Sequence, residues 1–229
     1  MGGIRLAWRP REQGFLSLTG LYQAASTDRR GERRRDVMTA SAGILGPACF
    51  VGGWLVAAAL RPGYSSTQQA ISQLARDGAP RRLLMSGAFV AFGVAMPIFA
   101  QPLTRALGGG RLLRGAVTLA GLATLGVACC PLSASGGGTR DLVHSTLATT
   151  GYVGMVASAG LGALALSRQE RPVAARVSGG VAIVAAASLV VTILGHDVGL
   201  FQRAGLTVID LWFVAIAITI LHNGSAAIA

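Results

Sequence analysis

Six stretches of this chain run for about 20 residues or more with at most one charged residue each, the length needed to cross a hydrocarbon core of about 30 Å at 1.5 Å per helical residue. They centre on residues 41–60, 83–101, 112–131, 143–166, 177–195 and 204–222. In hydrocarbon each backbone N–H and C=O must be satisfied within the protein, so an apolar segment of this length is helical. The expected fold class is therefore all-α: a polytopic membrane helical bundle of six transmembrane helices, spanning residues 38–229. Composition agrees, with 52% hydrophobic and only 13% charged residues, the latter about half the share of a soluble domain.

The net charge is +11, and all 20 basic residues are Arg. Most of them border the apolar runs, which points to a membrane surface and not to nucleic acid. Lys avoidance beside 32 Gly suits a GC-rich bacterial genome, so the expected location is a bacterial cell (inner) membrane. Residues 1–37 differ from the rest. They carry Arg5, Arg9, Arg11, Arg29, Arg30, Arg33, Arg34 and Arg35 and lack a signal-peptide pattern. They read as a disordered basic arm with a short interfacial helix over residues 14–25, and Met38 is an alternative start. With an internal N-terminus, the arm and the loops bearing Arg105, Arg111, Arg114, Arg168, Arg171 and Arg176 lie inside. Arg61, Arg76, Arg81, Arg82, Arg140 and Arg203 lie outside. Without the arm the two faces balance, so the arm sets the orientation, with both termini cytoplasmic. Membrane lipids are the expected partners, through anionic headgroups at the arginine-rich inner face. Other membrane subunits remain open as partners.

Polar residues gather on the outer side. The first outer loop, Arg61–Gly78, contains a short amphipathic helix in this reading, capped by Ser66 and running from Thr67 to Arg76, with Ile71, Leu74 and Ala75 on one face. It would lie over the bundle like a lid. Asp141 and His144 share one face at the start of the fourth helix, and His196, Asp197, Gln202 and Arg203 precede the sixth. Together with Ser72, Arg76 and Asp77 these form the candidate outer-face cluster. Asp141, His144, His196 and Asp197 offer the ligand types zinc uses, but no metal-binding spacing motif accompanies them. Three His at helix ends supply no buried haem pair, and no cofactor is expected. Cys49, Cys129 and Cys130 read as small apolar filler.

Asp210 lies within the sixth run. An ionisable group there costs at least ~2.5–3.5 kcal/mol if unpaired, so it should be paired, turned to the bundle interior, or protonated. Arg203, two turns earlier on the same face, or a group on a neighbouring helix is the candidate partner. Gly43, Gly46, Gly151, Gly154, Gly160, Gly162, Gly179 and Gly180 suggest close helix packing, and Pro47 and Pro97 should kink the first two helices.

Pro62-Gly63-Tyr64, Gln69 through Ala75, Gly78, Asp141 with His144, Gly199 through Arg203, and Asp210-Leu211-Trp212 together resemble the bacterial domain-of-unknown-function 998 family over about residues 39–222. The resemblance implies a six-helix membrane bundle with an outer polar cluster, and no established activity. Three functions compete. The first is a non-enzymatic bundle that handles a lipid or small ligand, or serves as an accessory membrane subunit. The others are an interfacial metal-dependent hydrolase using the His/Asp set, and a small-molecule or proton-coupled transporter using Asp210. A cytoplasmically active reporter fused after Ala229 is expected to give signal; activity from an extracytoplasmic reporter at that position overturns the orientation.

Overall fold

In the computed structural model the described residues are Gly31 and 35–226, with side chains described as far as Asn223. The basic arm and the interfacial helix expected within residues 1–37 lie, apart from Gly31 and the last three positions, outside them. Six helices follow: α1 Ala42–Ala59, α2 Arg82–Ala106, α3 Arg111–Cys129, α4 Thr139–Arg168, α5 Pro172–Ile193 and α6 Val198–Ala226. Six helices are long and apolar enough to cross a membrane, as the apolar runs require.

The helices outrun the hydropathy. α4 begins at Thr139 and α6 at Val198, ahead of the runs at 143 and 204, and α2 continues to Ala106. Hydropathy marks the residues able to face hydrocarbon. The helical hydrogen-bond ladder has no reason to stop there and continues as long as side chains permit. Thus Arg140, Asp141 and His144 lie within α4, and Gln202 and Arg203 within α6. Pro172 opens α5, where its missing N–H would lack a helical partner anyway. Between α3 and α4, Gly136, Gly137 and Gly138 all adopt positive φ (75°, 84° and 86°), a turn that side-chain-bearing residues would resist.

Each helix packs on the next in sequence, and α6 returns to α1, closing a ring. α6 also touches α2 and α4, which makes it the most central helix. Its Ile209, Phe213 and Ala217 are fully buried. Phe213 meets Phe99 of α2 edge-on, and the Trp212 indole donates to Ser178 Oγ of α5 at 2.9 Å. The outside is apolar instead: Leu83, Leu112 and Ile183 are each more than 70% exposed. Such an exterior is unfavourable in water and matches lipid.

Small residues set the helix spacing. A Cβ on Gly121 of α3 would stand 2.5 Å from Pro97 Cδ and 2.8 Å from the Gly93 carbonyl oxygen of α2. Gly43, Gly46, Gly154 and Gly162 likewise sit against neighbouring helices, whereas Gly180 faces open space. The close packing expected of these glycines therefore holds for most but not for Gly180. Pro47 lies inside α1 and Pro97 inside α2, joined by Pro102. The cysteines are free, with Cys49 and Cys129 on the exposed surface. Replacing Gly121 with Ala is expected to destabilise the bundle by about 1–3 kcal/mol through overpacking, read as a lowered melting temperature in detergent. Gly180→Ala should leave that temperature unchanged.

Candidate functional site

Loops 61–81, 130–138 and 194–197 meet at one end of the bundle, here called the polar end. The opposite end brings together loops 107–110 and 169–171, where Gly108 abuts the Gln169 side chain. The short helix expected in the first loop is present as a single 3-10 turn, Ile71–Leu74, not as a helix from Thr67 to Arg76. Ser66 does not cap it; Ala70 precedes it in extended conformation. The expected apolar face does form, with Ile71, Leu74 and Ala75 at most 3% exposed. One turn suffices to bury it, and side chains from α6 bond several of the loop's other backbone groups.

Arg203 makes most of that attachment. Its Nη1 donates to the carbonyl oxygens of Ser66 at 2.7 Å, Gln69 at 3.0 Å and Gly199 at 2.9 Å, and its Nη2 donates to the Tyr64 hydroxyl. The guanidinium also lies over the rings of Trp54, at 5.1 Å, and Tyr64, at 5.5 Å. Guanidinium planarity allows this combination of fork-like donation and stacking, which a lysine cannot reproduce. The Tyr64 hydroxyl donates in turn toward the carbonyls of Gln69 and Ala70. Burial raises the Tyr64 phenol above its ordinary range, with the neighbouring Arg203 charge pulling the other way. Gln202 Oε1 accepts the Ile71 backbone N–H at 2.8 Å, and Gln68 donates to Asp197 at 2.6 Å. Asp197 itself holds φ at 38°, in the turn that starts α6.

A second node ties the first loop to loop 130–138. Asp77 pairs with Arg82 and with Arg140, the latter at 2.7 Å, while its backbone N–H donates to the Leu132 carbonyl. Arg76 Nε donates to the Ser133 carbonyl at 2.9 Å. The two Asp141 oxygens accept the backbone N–H groups of Ser133 and Gly137, each at 2.7 Å. His144 is buried, with Nδ1 2.7 Å from the Cys130 carbonyl oxygen. The anticipated outer-face cluster is thus two loop anchors. Arg76, Asp77, Asp141 and His144 belong to one; Asp197, Gln202 and Arg203 belong to the other. His196 is exposed. The four residues considered as metal ligands do not converge. No group of three or more His, Cys, Asp or Glu side chains suited to a metal ion occurs among the described residues. Asp141 and Asp197 instead accept hydrogen bonds from loop groups.

Between the anchors lies a cavity of about 50 Å³. The 3-10 turn contributes Ile71 and Ser72 at its loop side, and α1, α2, α3, α4 and α6 wall it with residues such as Phe92, Thr124, Tyr152 and Gln202. A single water needs ~10–15 Å³, so the space exceeds one solvent molecule. Its wall is aromatic and aliphatic with a few polar groups, the general character of a small-molecule site.

Asp210 lies deeper on α6. It is 2% exposed, and neither carboxylate oxygen has a hydrogen-bond partner among the described residues. The expected tie to Arg203 does not form. Seven residues of helix separate the two by about 10 Å, and Arg203 reaches the other way, into the loop. The Tyr152 hydroxyl of α4 is also buried without a partner among the described residues, and it stands within electrostatic reach of Asp210. It rests against Gly205 of α6, where a Cβ would fall 1.7 Å from it.

Two site residues are not marked by the sequence. Tyr64 is one residue of a loop motif, and only the return of α6 to α1 brings it under Arg203. Tyr152 sits in the middle of an apolar run, where a buried phenol and a lipid-facing one look alike. The available signal is that Tyr152 is the lone tyrosine within the six runs.

The family model described as "Protein of unknown function (DUF998)" matches residues 44–219. No curated protein and no solved structure matches the chain.

Replacing Arg203 with Lys keeps the charge and removes the fork. Amide hydrogen exchange over residues 64–75 should then accelerate by roughly 10- to 100-fold, the equivalent of about 1.5–3 kcal/mol for hydrogen bonds to a charged group. Exchange in α3 should not change.

Proposed function

The chain belongs to the DUF998 family of proteins of unknown function, and from that premise we propose that it is a non-enzymatic membrane bundle that binds a small amphiphile or the end of a lipid. The observation that carries this reading is the central cavity, walled by five of the six helices and roofed by the 3-10 turn. Phe50, Phe89, Phe92 and Leu206 suit an apolar moiety, while Ser72 and Gln202 offer hydrogen bonds to a polar end. The engagement of the candidate catalytic groups supports the non-enzymatic reading. Asp141 holds two loop N–H groups and Arg203 holds loop carbonyls, so both are occupied as anchors.

Location belongs to the same proposal. We assign the protein to a bacterial inner membrane with the end bearing Arg105, Arg111, Arg114, Arg168, Arg171 and Arg176 in the cytoplasm. All six of these side chains are exposed, which suits contact with anionic headgroups at about 1 kcal/mol per basic residue.

A short-chain alkyl diazirine alcohol tests the ligand reading. On irradiation with the purified protein in lipid nanodiscs it is expected to label the cavity residues Phe92, Tyr152 and Met155. Ala148→Phe, which fills the cavity from α4, should reduce that labelling at least tenfold. Labelling confined to exposed residues such as Leu119 and Ile183, and indifferent to Ala148→Phe, overturns the reading.

A further inference from the structure

Asp210 is the one acid placed in the middle of the most central helix. Nothing in the anchoring of the loops or in the cavity wall uses it. Its carboxylate is buried, and both oxygens lack partners among the described residues. An ionised carboxylate in such a place is costly by several kcal/mol, and a group so placed gains a counter-charge or takes up a proton.

Among the described residues, the elements packed on α6 supply no counter-charge. α1 and the 3-10 turn contain no charged residue, and the Cys49 thiol of α1 is exposed. α2 carries charge only at its ends, in Arg82 and Arg105. Both are ion-paired, to Asp77 and Asp36. α5 has Arg176 alone, in its exposed second turn. α4 has Arg140, Asp141 and His144 at one end and Arg168 at the other, and in between it faces α6 with the neutral Tyr152 phenol. On α6 itself, Arg203 donates to Ser66, Gln69, Gly199 and Tyr64, and His222 is exposed near the opposite end. The remaining way to neutralise the carboxylate is a proton.

We propose that Asp210 is a proton-binding site: in this closed bundle the carboxyl group carries a bound proton at neutral pH, buried in the middle of α6 with no hydrogen-bond partner among the described residues. Binding and release are a simple acid ionisation. The O–H bond of the carboxylic acid breaks, the bonding pair stays on oxygen as carboxylate, and the proton leaves to water.

The placement gives that ionisation a mechanical consequence. The Tyr152 hydroxyl occupies the hollow at Gly205, one and a half turns from Asp210, and the Tyr152 ring walls the cavity. A charge appearing on Asp210 requires water or a partner group. One way to bring water is to part α4 from α6 along Tyr152 and Gly205, which would deepen the cavity. The protonated acid favours the closed bundle and the carboxylate favours a more open one. This coupling rests on the cavity being the ligand site; the proton site itself does not.

Infrared spectroscopy of the full chain in nanodiscs reads the proton directly. With aspartate carboxyls labelled by carbon-13, the wild-type protein at neutral pH should show one isotope-shifted C=O stretch of a protonated acid, moving on transfer to D2O. Asp210→Asn should remove it and leave the carboxylate bands of the other aspartates unchanged. If the wild type shows only carboxylate bands at neutral pH, the proposal is overturned. The wild-type measurement stands even if the variant fails to fold. Alkyl diazirine alcohol labelling is scored separately, so loss of the ligand reading and loss of the proton site give different results. Where both hold, cavity labelling should rise at least threefold between neutral and strongly alkaline pH in wild type and stay flat in Asp210→Asn; labelling that rises equally in both removes the coupling.

Discussion

A polar loop of some twenty residues has to be fastened to a bundle whose surface is otherwise apolar, and Arg203 does most of the fastening. Its guanidinium collects the carbonyls of Ser66, Gln69 and Gly199 and the Tyr64 hydroxyl while lying over the Trp54 ring. Loop carbonyls held near the membrane boundary cannot rely on bulk water, so a donor with several N–H groups in one plane is worth more here than several separate donors. Once the loop is held, Ile71 and Leu74 are pressed onto the bundle and the 3-10 turn becomes the roof of the cavity. Gln202, Leu200 and the Gln68–Asp197 contact add further bonds between the loop and the start of α6.

Below the roof the structure depends on small residues. Lipid tails are as apolar as leucine, so helices associate by packing and not by the exclusion of water. Gly93 against Gly121, and Gly154 against the α3 backbone, let α2, α3 and α4 approach closely. α6 then sits against four helices at once. That central position buries Asp210, and α6 also contributes Gln202 and Leu206 to the cavity wall. The two features have one origin: a ring of six helices with the sixth turned inward.

The same interactions that shape the polar end bear on function. Asp141 and His144 look like ligands or catalytic groups when read from spacing, yet they hold the turn of loop 130–138. Residues of that kind keep a roof in place. The cavity wall and the buried Asp210 carboxyl take no part in that anchoring.

The six apolar runs determined the number of helices and their membrane character, because length and hydropathy are properties of each segment by itself and lipid leaves the backbone no other conformation. Ile71, Leu74 and Ala75 were legible as one buried face for the same local reason, although not the single turn that presents it. Asp210 was legible as an anomaly, one acid in an apolar run. Which partners these residues meet was settled only in three dimensions. Arg203 and Asp210 share a helix face, which makes them a candidate pair in the sequence; the tertiary structure separates them, because loop 61–81 folds over the start of α6 and offers Arg203 nearer carbonyls and rings. Tyr64 and Tyr152 gained their places from the return of α6 to α1 and its contact with α4. Such long-range contacts leave no periodicity in the chain, so only the assembled bundle decided them.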